Sequence, residues 1–145
     1  LFSGPQRKSS TAQHLQKLCE RDGFGLEVEE IDILIGGSEH DLLDAGAQEA
    51  IMARITAGDY DIIVLSPPCA TWSSARWSDG PGPAPVRNRE HPWGIPHLQY
   101  EWQKKQARTG NEFVHLAIRA LAAGEEAKKR GHRIRSLAKL FLHWN

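Results

Sequence analysis

The 145-residue sequence predicts an α/β domain with an incomplete, Rossmann-like parallel sheet. Three observations support this prediction: a short apolar run over 62–65, helical apolar periodicity on both sides of it, and glycines where helices should end. Strands that alternate with helices pair in parallel through right-handed crossovers. We therefore expect one domain over residues 1–131, followed by an atypical tail over 132–145.

Each element follows from local patterning. Ser10 with Gln13 forms a capping box at the start of a helix, whose apolar stripe places Cys19 in the core. Gly58 and Gly131 are suited to end two later helices. The predicted order is a strand end at 1–2, a helix at 10–22, a strand at 26–34, a helix at 46–57, a strand at 61–65 and a helix at 100–130.

The tail departs from this alternation. Its apolar residues have helical rather than strand spacing: Ile134, Leu137, Leu140 and Phe141. We interpret the chain as a fragment, or as the product of a truncated or frame-shifted gene.

Composition limits the class of protein. The sequence has no apolar run of the length that a membrane span needs, and it begins without the pattern of a signal peptide. Its two cysteines, Cys19 and Cys69, fit neither a disulfide framework nor a zinc site. We expect an intracellular protein, in the nucleus or cytoplasm and not secreted, without a metal or a membrane partner.

Opposite charges divide the chain. Residues 1–66 contain 5 basic and 12 acidic residues, whereas residues 67–145 contain 13 basic and 6 acidic residues. A basic half can face phosphates. Helix surfaces that simply differ in sign would give the same counts, so charge alone leaves both interpretations open.

Residues 74–96 form a predicted loop, because glycine and proline are too frequent there for regular structure. Arginines and tryptophans alternate with them: Arg76, Trp77, Arg87, Arg89 and Trp93. Basic and aromatic residues together favour a loop that closes over nucleic acid. The alternative is a disordered linker.

The strand at 61–65 is followed by the most informative segment, Ser66-Pro67-Pro68-Cys69. Ligands of open α/β sheets bind beyond the carboxyl ends of strands. Proline fixes its own φ and restricts the preceding residue, so the two prolines hold Cys69 in a set direction. This placement indicates a nucleophile rather than a structural cysteine.

Taken in order, four segments resemble the cofactor half of DNA (cytosine-5) methyltransferases, over about residues 1–75 and loosely to 130. The most specific is Pro67-Pro68-Cys69-Ala70-Thr71-Trp72-Ser73, which is similar to the family's Pro-Cys-x-x-aromatic-Ser pattern. The others are Leu1-Phe2-Ser3-Gly4, the Glu30-Ile31-Asp32 strand end, and His40-Asp41-Leu42-Leu43-Asp44.

The resemblance implies methyl transfer from S-adenosylmethionine to carbon 5 of a flipped-out cytosine, through a covalent adduct with Cys69 beside Pro68. It implies DNA as the partner, with RNA left open. The implied cofactor contacts are Phe2, Ser3, Gly4, Asp32 or else Glu30, Asp41, Leu42 and Pro67. The basic and aromatic residues in and beside the predicted loop are the expected nucleic-acid contacts: Trp72, Ser73, Arg76, Arg87 and Arg89.

Two departures from the family predict weak or no activity for this chain. Pro5-Gln6-Arg7 replaces the second glycine of the first motif, and no glutamate follows Glu126 to contact the cytosine ring. An inactive relic of a mobile element is therefore an alternative. An exocyclic amino-methyltransferase is another, although an aromatic residue follows the two prolines in that class, where Cys69 stands here.

Overall fold

The computed structural model of the protein describes residues 1, 10–73, 76 and 81–138, with the backbone alone at 137 and 138. Four α-helices and two strands are present in these ranges. They are α1 (Thr11–Arg21), α2 (Ile33–Gly36), α3 (Ala45–Ala57), β1 (Ile62–Leu65), α4 (Glu101–Lys129) and β2 (Arg135–Ala138), with a 3₁₀ turn at Gly37–His40 after α2.

The two strands form a parallel pair. Its register runs from Ile62 opposite Arg135 to Leu65 opposite Ala138. On the other side of β1, the Leu1 nitrogen donates to the Val64 carbonyl at 2.8 Å. The α/β class is confirmed, whereas two paired strands among the described residues do not amount to a Rossmann-like sheet.

The core lies between one face of β1 and the helices α3 and α4. Ile63 and Leu65 are buried on that face, while Ile62 and Val64 are exposed on the other. Small residues let α4 approach the sheet closely: a Cβ at Gly124 would lie 2.5 Å from Ser136 Oγ. The buried contacts come from Ile51, Ile55, Leu116, Ala117, Ala120, Ala127 and Ile134.

The three long helices agree with the predictions at 10–22, 46–57 and 100–130, because their caps and periodicity are local. Ser10 accepts a hydrogen bond from Gln13 N, and Gly58 ends α3 with φ +82°. The prediction that Cys19 lies in the core is wrong: no residue of α1 is buried, and Cys19 is half-buried because it faces the cavity beside β1. Among the described helices, none combines the length and apolar composition needed to cross a membrane.

The strand predicted over 26–34 is wrong. No strand is assigned to these residues, and Ile33 begins α2, because the Asp32 carboxylate accepts from Leu34 N at 3.0 Å and caps that helix. Glu29 attaches this segment to α3 and to the residues that follow it, since it accepts hydrogen bonds from Arg54 of α3 and from Tyr60. Side-chain contacts therefore hold this segment in place of a strand ladder.

The helical spacing of the tail is also misleading. Residues 135–138 form β2, because β1 offers an unpaired edge whose backbone groups need partners. Gly131 follows the end of α4 and has a positive φ of +98°. Ile134, between this glycine and β2, is buried in the core. The described part of the tail thus belongs to the sheet; Leu140 and Phe141 lie outside the described residues.

Candidate functional site

Cys69 follows the carboxyl end of β1. Pro67 is buried, whereas Pro68 and Cys69 are exposed. A tight turn comes next, in which Trp72 N donates to the Cys69 carbonyl at 2.8 Å. The thiol is therefore accessible, and the backbone around it is fixed by a buried proline on one side and a hydrogen-bonded turn on the other.

The turn packs closely on α4. Trp72 is buried, and a Cβ at Gly110 would lie 2.6 Å from Thr71 Oγ1 and 2.7 Å from Arg87 Nη2. Only glycine leaves room for these contacts at this position of the helix. A glycine inside a predicted helix can signal such a close approach, but the sequence alone does not indicate which segment approaches Gly110.

Arg87 is the centre of the packing around this turn, with only 2% of its surface exposed. Its guanidinium lies over the Trp72 ring, 3.8 Å from the centroid. Burial, with repulsion from Arg76, lowers the pKa of Arg87 to about 10. Its nitrogens donate to Thr71 Oγ1, the Pro92 carbonyl, Asn111 Oδ1 and the Ala107 carbonyl at 3.2, 2.9, 2.7 and 2.8 Å.

An aromatic group extends from the turn to the surface. Trp93 meets Trp72 edge-on, with 5.6 Å between the ring centroids, and lies 5.0 Å from the His115 ring. Trp93 is half-exposed, and its carbonyl accepts from Asn111 Nδ2 at 2.9 Å. Sequence reasoning missed Asn111 and His115, because no local pattern in a long helix distinguishes them.

The expected nucleic-acid contacts occupy different environments. Burial of Arg87 and Trp72 argues against a direct phosphate or base contact, since the Arg87 nitrogens are already engaged within the protein. Arg76 and Ser73 are half-buried, and Arg76 donates to Gln106 Oε1 at 3.1 Å. Arg89 is exposed and therefore accessible to a phosphate. Trp77 lies outside the described residues.

A cavity of ≈ 600 Å³ opens beside β1, where residues of α1, of the segment 26–31 and of α3 line it. Pockets of this size hold drug-sized ligands. The cavity is lined by Leu1, Glu30 and Ser66, together with Ser10 and the first two residues of α1, Thr11 and Ala12. Its inner wall is apolar and includes Leu15, Cys19, Leu26, Val28, Ile51, Ile55 and Ile63.

Of the expected cofactor contacts, Glu30 is the described residue that lines this cavity. Asp32 caps α2, and the Asp41 carboxylate accepts from Leu43 N at 2.9 Å. Leu42 and Pro67 are buried, Leu42 within the core. Phe2, Ser3 and Gly4 lie outside the described residues. Glu30 therefore lines the cavity, whereas Asp32 does not.

A hydrogen-bonded network fixes the acidic wall of the cavity. Glu29 accepts from Arg54 Nη1 and from the Tyr60 hydroxyl, each at 2.7 Å. Hydrogen bonding to Arg54 lowers the pKa of Glu29. Burial, then hydrogen bonding to Glu29, raises the pKa of Tyr60. Because Glu29 is engaged by these two side chains, Glu30 is the better candidate for a contact with a ligand.

The donor sets that metals require are not found in the described part of the chain, where no three His, Cys, Asp or Glu side chains cluster. No protein-family model, curated protein or solved structure gives a significant match to this chain. The site geometry and the sequence resemblance are therefore the basis for any functional conclusion.

Proposed function

We propose that the chain is a domain of the DNA cytosine-5 methyltransferase type, with Cys69 as its nucleophile. The observation that supports this most strongly is the position of Cys69 in the fold. An exposed thiol follows the carboxyl end of β1, between buried Pro67 and the turn closed by Trp72. Ligands of open α/β sheets bind at this end of the strands.

The order of the paired segments gives further support. Leu1 lies beside β1, and β1 lies beside β2. In one common doubly wound order the first strand neighbours the third, and the third neighbours the fourth. Residues 26–31, which line the cavity with Leu1, then stand in the place of a second strand. The predicted ligand crevice of such a sheet lies between Leu1 and β1, where Cys69 emerges.

The chemistry requires an accessible thiolate. Carbon 5 of cytosine is a weak nucleophile, and addition of the Cys69 sulfur to carbon 6 transfers electron density to carbon 5. After carbon 5 has gained the methyl group, it loses its proton, and the thiolate leaves carbon 6 to restore the ring. The cytosine must leave the base stack to reach Cys69.

The cavity fits the cofactor that this reaction needs. S-adenosylmethionine supplies an electrophilic methyl group when bound. Glu30 lines the cavity and would accept hydrogen bonds from the ribose hydroxyls, in the manner of the acid that ends the second strand of doubly wound sheets. The start of α1, at Ser10, provides a polar end to an otherwise apolar pocket.

The loop over 81–96 would contribute the nucleic-acid contacts. Its exposed side chains include Arg89 and half of the Trp93 ring, which packs against Trp72 of the Cys69 turn. An arginine suits a phosphate, and an aromatic face suits an unstacked base. DNA and RNA both contain phosphates and bases, so this surface does not discriminate between the two nucleic acids.

Turnover by this chain should be slow. Residues 127–145 contain no glutamate that could assist protonation of the ring. General acid assistance typically contributes about 10²–10⁴-fold in rate. This departure favours a second candidate, a domain that binds cofactor without methylating.

Titration calorimetry of the chain with S-adenosylmethionine tests the proposal. Glu30→Gln should weaken binding about tenfold or more, since a hydrogen bond to a charged group contributes about 1.5–3 kcal/mol. Glu39→Gln, at an exposed position away from the cavity, is the matched control. Asp32→Asn should change little, because asparagine also caps helices. Absence of binding by the parent chain would overturn the proposed cofactor site.

A radiolabelled methyl-transfer assay then separates the two candidates. The proposed cytosine methyltransferase gives slow incorporation that requires Cys69, whereas the second candidate binds S-adenosylmethionine and incorporates nothing. Incorporation that survives Cys69→Ser would contradict the nucleophile and favour transfer to an exocyclic nitrogen.

A further inference from the structure

We propose that Arg87 is a positioning residue for Cys69, acting through the turn that ends at Trp72. This inference rests on the proposed function in one respect, the role of Cys69 as the nucleophile. The contacts that support it belong to the folded chain and need no cofactor or nucleic acid.

Two contacts from Arg87, together called the clamp, hold the turn from Cys69 to Trp72. Arg87 Nε donates to Thr71 Oγ1 at 3.2 Å, and its guanidinium covers the Trp72 ring at 3.8 Å. Both partners lie in the turn whose first residue is Cys69, because Trp72 N bonds to the Cys69 carbonyl. Arg87 therefore restrains the two residues that determine where the Cys69 backbone leaves the sheet.

The clamp is anchored on α4. The opposite edge of the guanidinium donates to Asn111 Oδ1 and to the Ala107 carbonyl, at 2.7 and 2.8 Å. The fork of arginine makes these contacts in one plane, and the single ammonium of lysine does not reproduce them. The turn is thus fixed to a long, regular helix rather than to the loop alone.

The loop over 81–96 contacts both Arg87 and Trp72. Arg87 also donates to the Pro92 carbonyl, and Trp93 packs edge-on against Trp72. Any ligand that moves Trp93 therefore acts on the same packed group that holds the Cys69 turn. This connection gives the loop a route to the thiol that does not require direct contact.

The acceptors around Arg87 are neutral: one hydroxyl, one amide oxygen and two carbonyl oxygens. Burying a charge on neutral partners is costly, and the lowered pKa of Arg87 reflects that cost. Replacing buried charged groups by well-packed apolar residues is often neutral or stabilising, so stability alone does not explain an arginine at this position. The arrangement is explained by the need for a directional, multi-armed clamp.

A spin label on Cys69 tests the proposal in the full chain with Cys19→Ser. Arg87→Lys and Thr71→Val should each shorten the rotational correlation time of the label severalfold, since a released loop moves on the nanosecond scale. Thr71→Val keeps the shape of the side chain and removes one arm of the clamp, so it decides the question even if Arg87→Lys fails to fold.

Arg89→Lys, at an exposed position of the same loop, is the matched control and should leave the spectrum unchanged. Gly110→Ala approaches the clamp from α4 and should loosen the label like Thr71→Val, because its Cβ collides with Thr71 Oγ1. Unfolding midpoints show whether the whole fold is weakened. An unchanged label in Thr71→Val, or equal loosening in Arg89→Lys, would overturn the positioning role and leave the proposed function untouched.

Discussion

Leu1 and Leu65 face each other as partners in a parallel arrangement of chain segments. The Leu1 nitrogen donates to the Val64 carbonyl at 2.8 Å, and Ser66 N donates to the Leu1 carbonyl at 3.3 Å. These two bonds on either side of Leu65 are the pattern of a parallel ladder. β1 is thereby paired on both edges, by Leu1 and by β2, and Cys69 emerges from the middle of the group.

Truncation of Leu65 should weaken the fold strongly. Leu65→Ala should lower the free energy of unfolding by about 2–5 kcal/mol, since it removes a fully buried side chain and leaves a cavity. Urea unfolding followed by circular dichroism measures this change. Val64→Ala, on the exposed face of the same strand, is the control and should cost much less. Equal losses for the two variants would contradict the assignment of the core face.

The network around Glu29 predicts a pH dependence. The pKa of Glu29 is lowered in the folded state by Arg54, so its contribution is present above the unfolded value of 4.5 and is lost as the pH falls through the folded value. Both side chains are more than one third exposed, and solvent screening limits the effect to about 0.2–1 kcal/mol.

Urea unfolding at pH 7 and in acid checks this sign. Glu29→Gln should destabilise the chain at pH 7 and lose its effect once Glu29 of the parent is protonated. Glu49→Gln, at an exposed position of α3, serves as the control. A deficit of the same size at both pH values would show that packing, rather than charge, explains the contribution of Glu29.

The sequence predicts the helices well and the pairing of strands poorly, for physical reasons. The ends of α1 and α3 depend on Ser10 and Gly58, which act within one helical turn. The pairing of β2 depends on β1, about seventy residues earlier in the chain. At 26–34, the capping of α2 by Asp32 outweighed an apolar, β-prone pattern.

The site also combines features set by neighbouring residues with features set by residues distant in sequence. The exposure of Cys69 follows from the strand and the two prolines, which are adjacent in sequence. The burial of Arg87 does not, because its partners Thr71 and Asn111 are 16 and 24 positions away. Composition alone therefore assigned Arg87 to nucleic acid, and only the packing indicates its role beside Trp72.

Arg89 should account for part of the salt dependence of nucleic-acid binding. Removing one phosphate contact to duplex DNA reduces the slope of log K against log salt by about 0.9. Fluorescence anisotropy of a labelled duplex with Arg89→Ala, over a range of salt concentrations, measures that slope. Arg21→Ala, at the last residue of α1 and paired with Asp22, is the control and should not change it. An unchanged slope for Arg89→Ala would favour a loop that does not touch nucleic acid.

The most direct test of the central claim is covalent trapping of the chain. An oligonucleotide that contains 5-fluorocytosine, incubated with S-adenosylmethionine, retains the protein because the fluorine cannot leave as the proton does. We predict a slowly accumulating protein–DNA adduct, whose attachment point by peptide mass spectrometry is Cys69, which persists in Cys19→Ser and disappears in Cys69→Ser. Failure of the parent to form any adduct on prolonged incubation, or an adduct that survives Cys69→Ser, would contradict the assignment of Cys69 as the nucleophile.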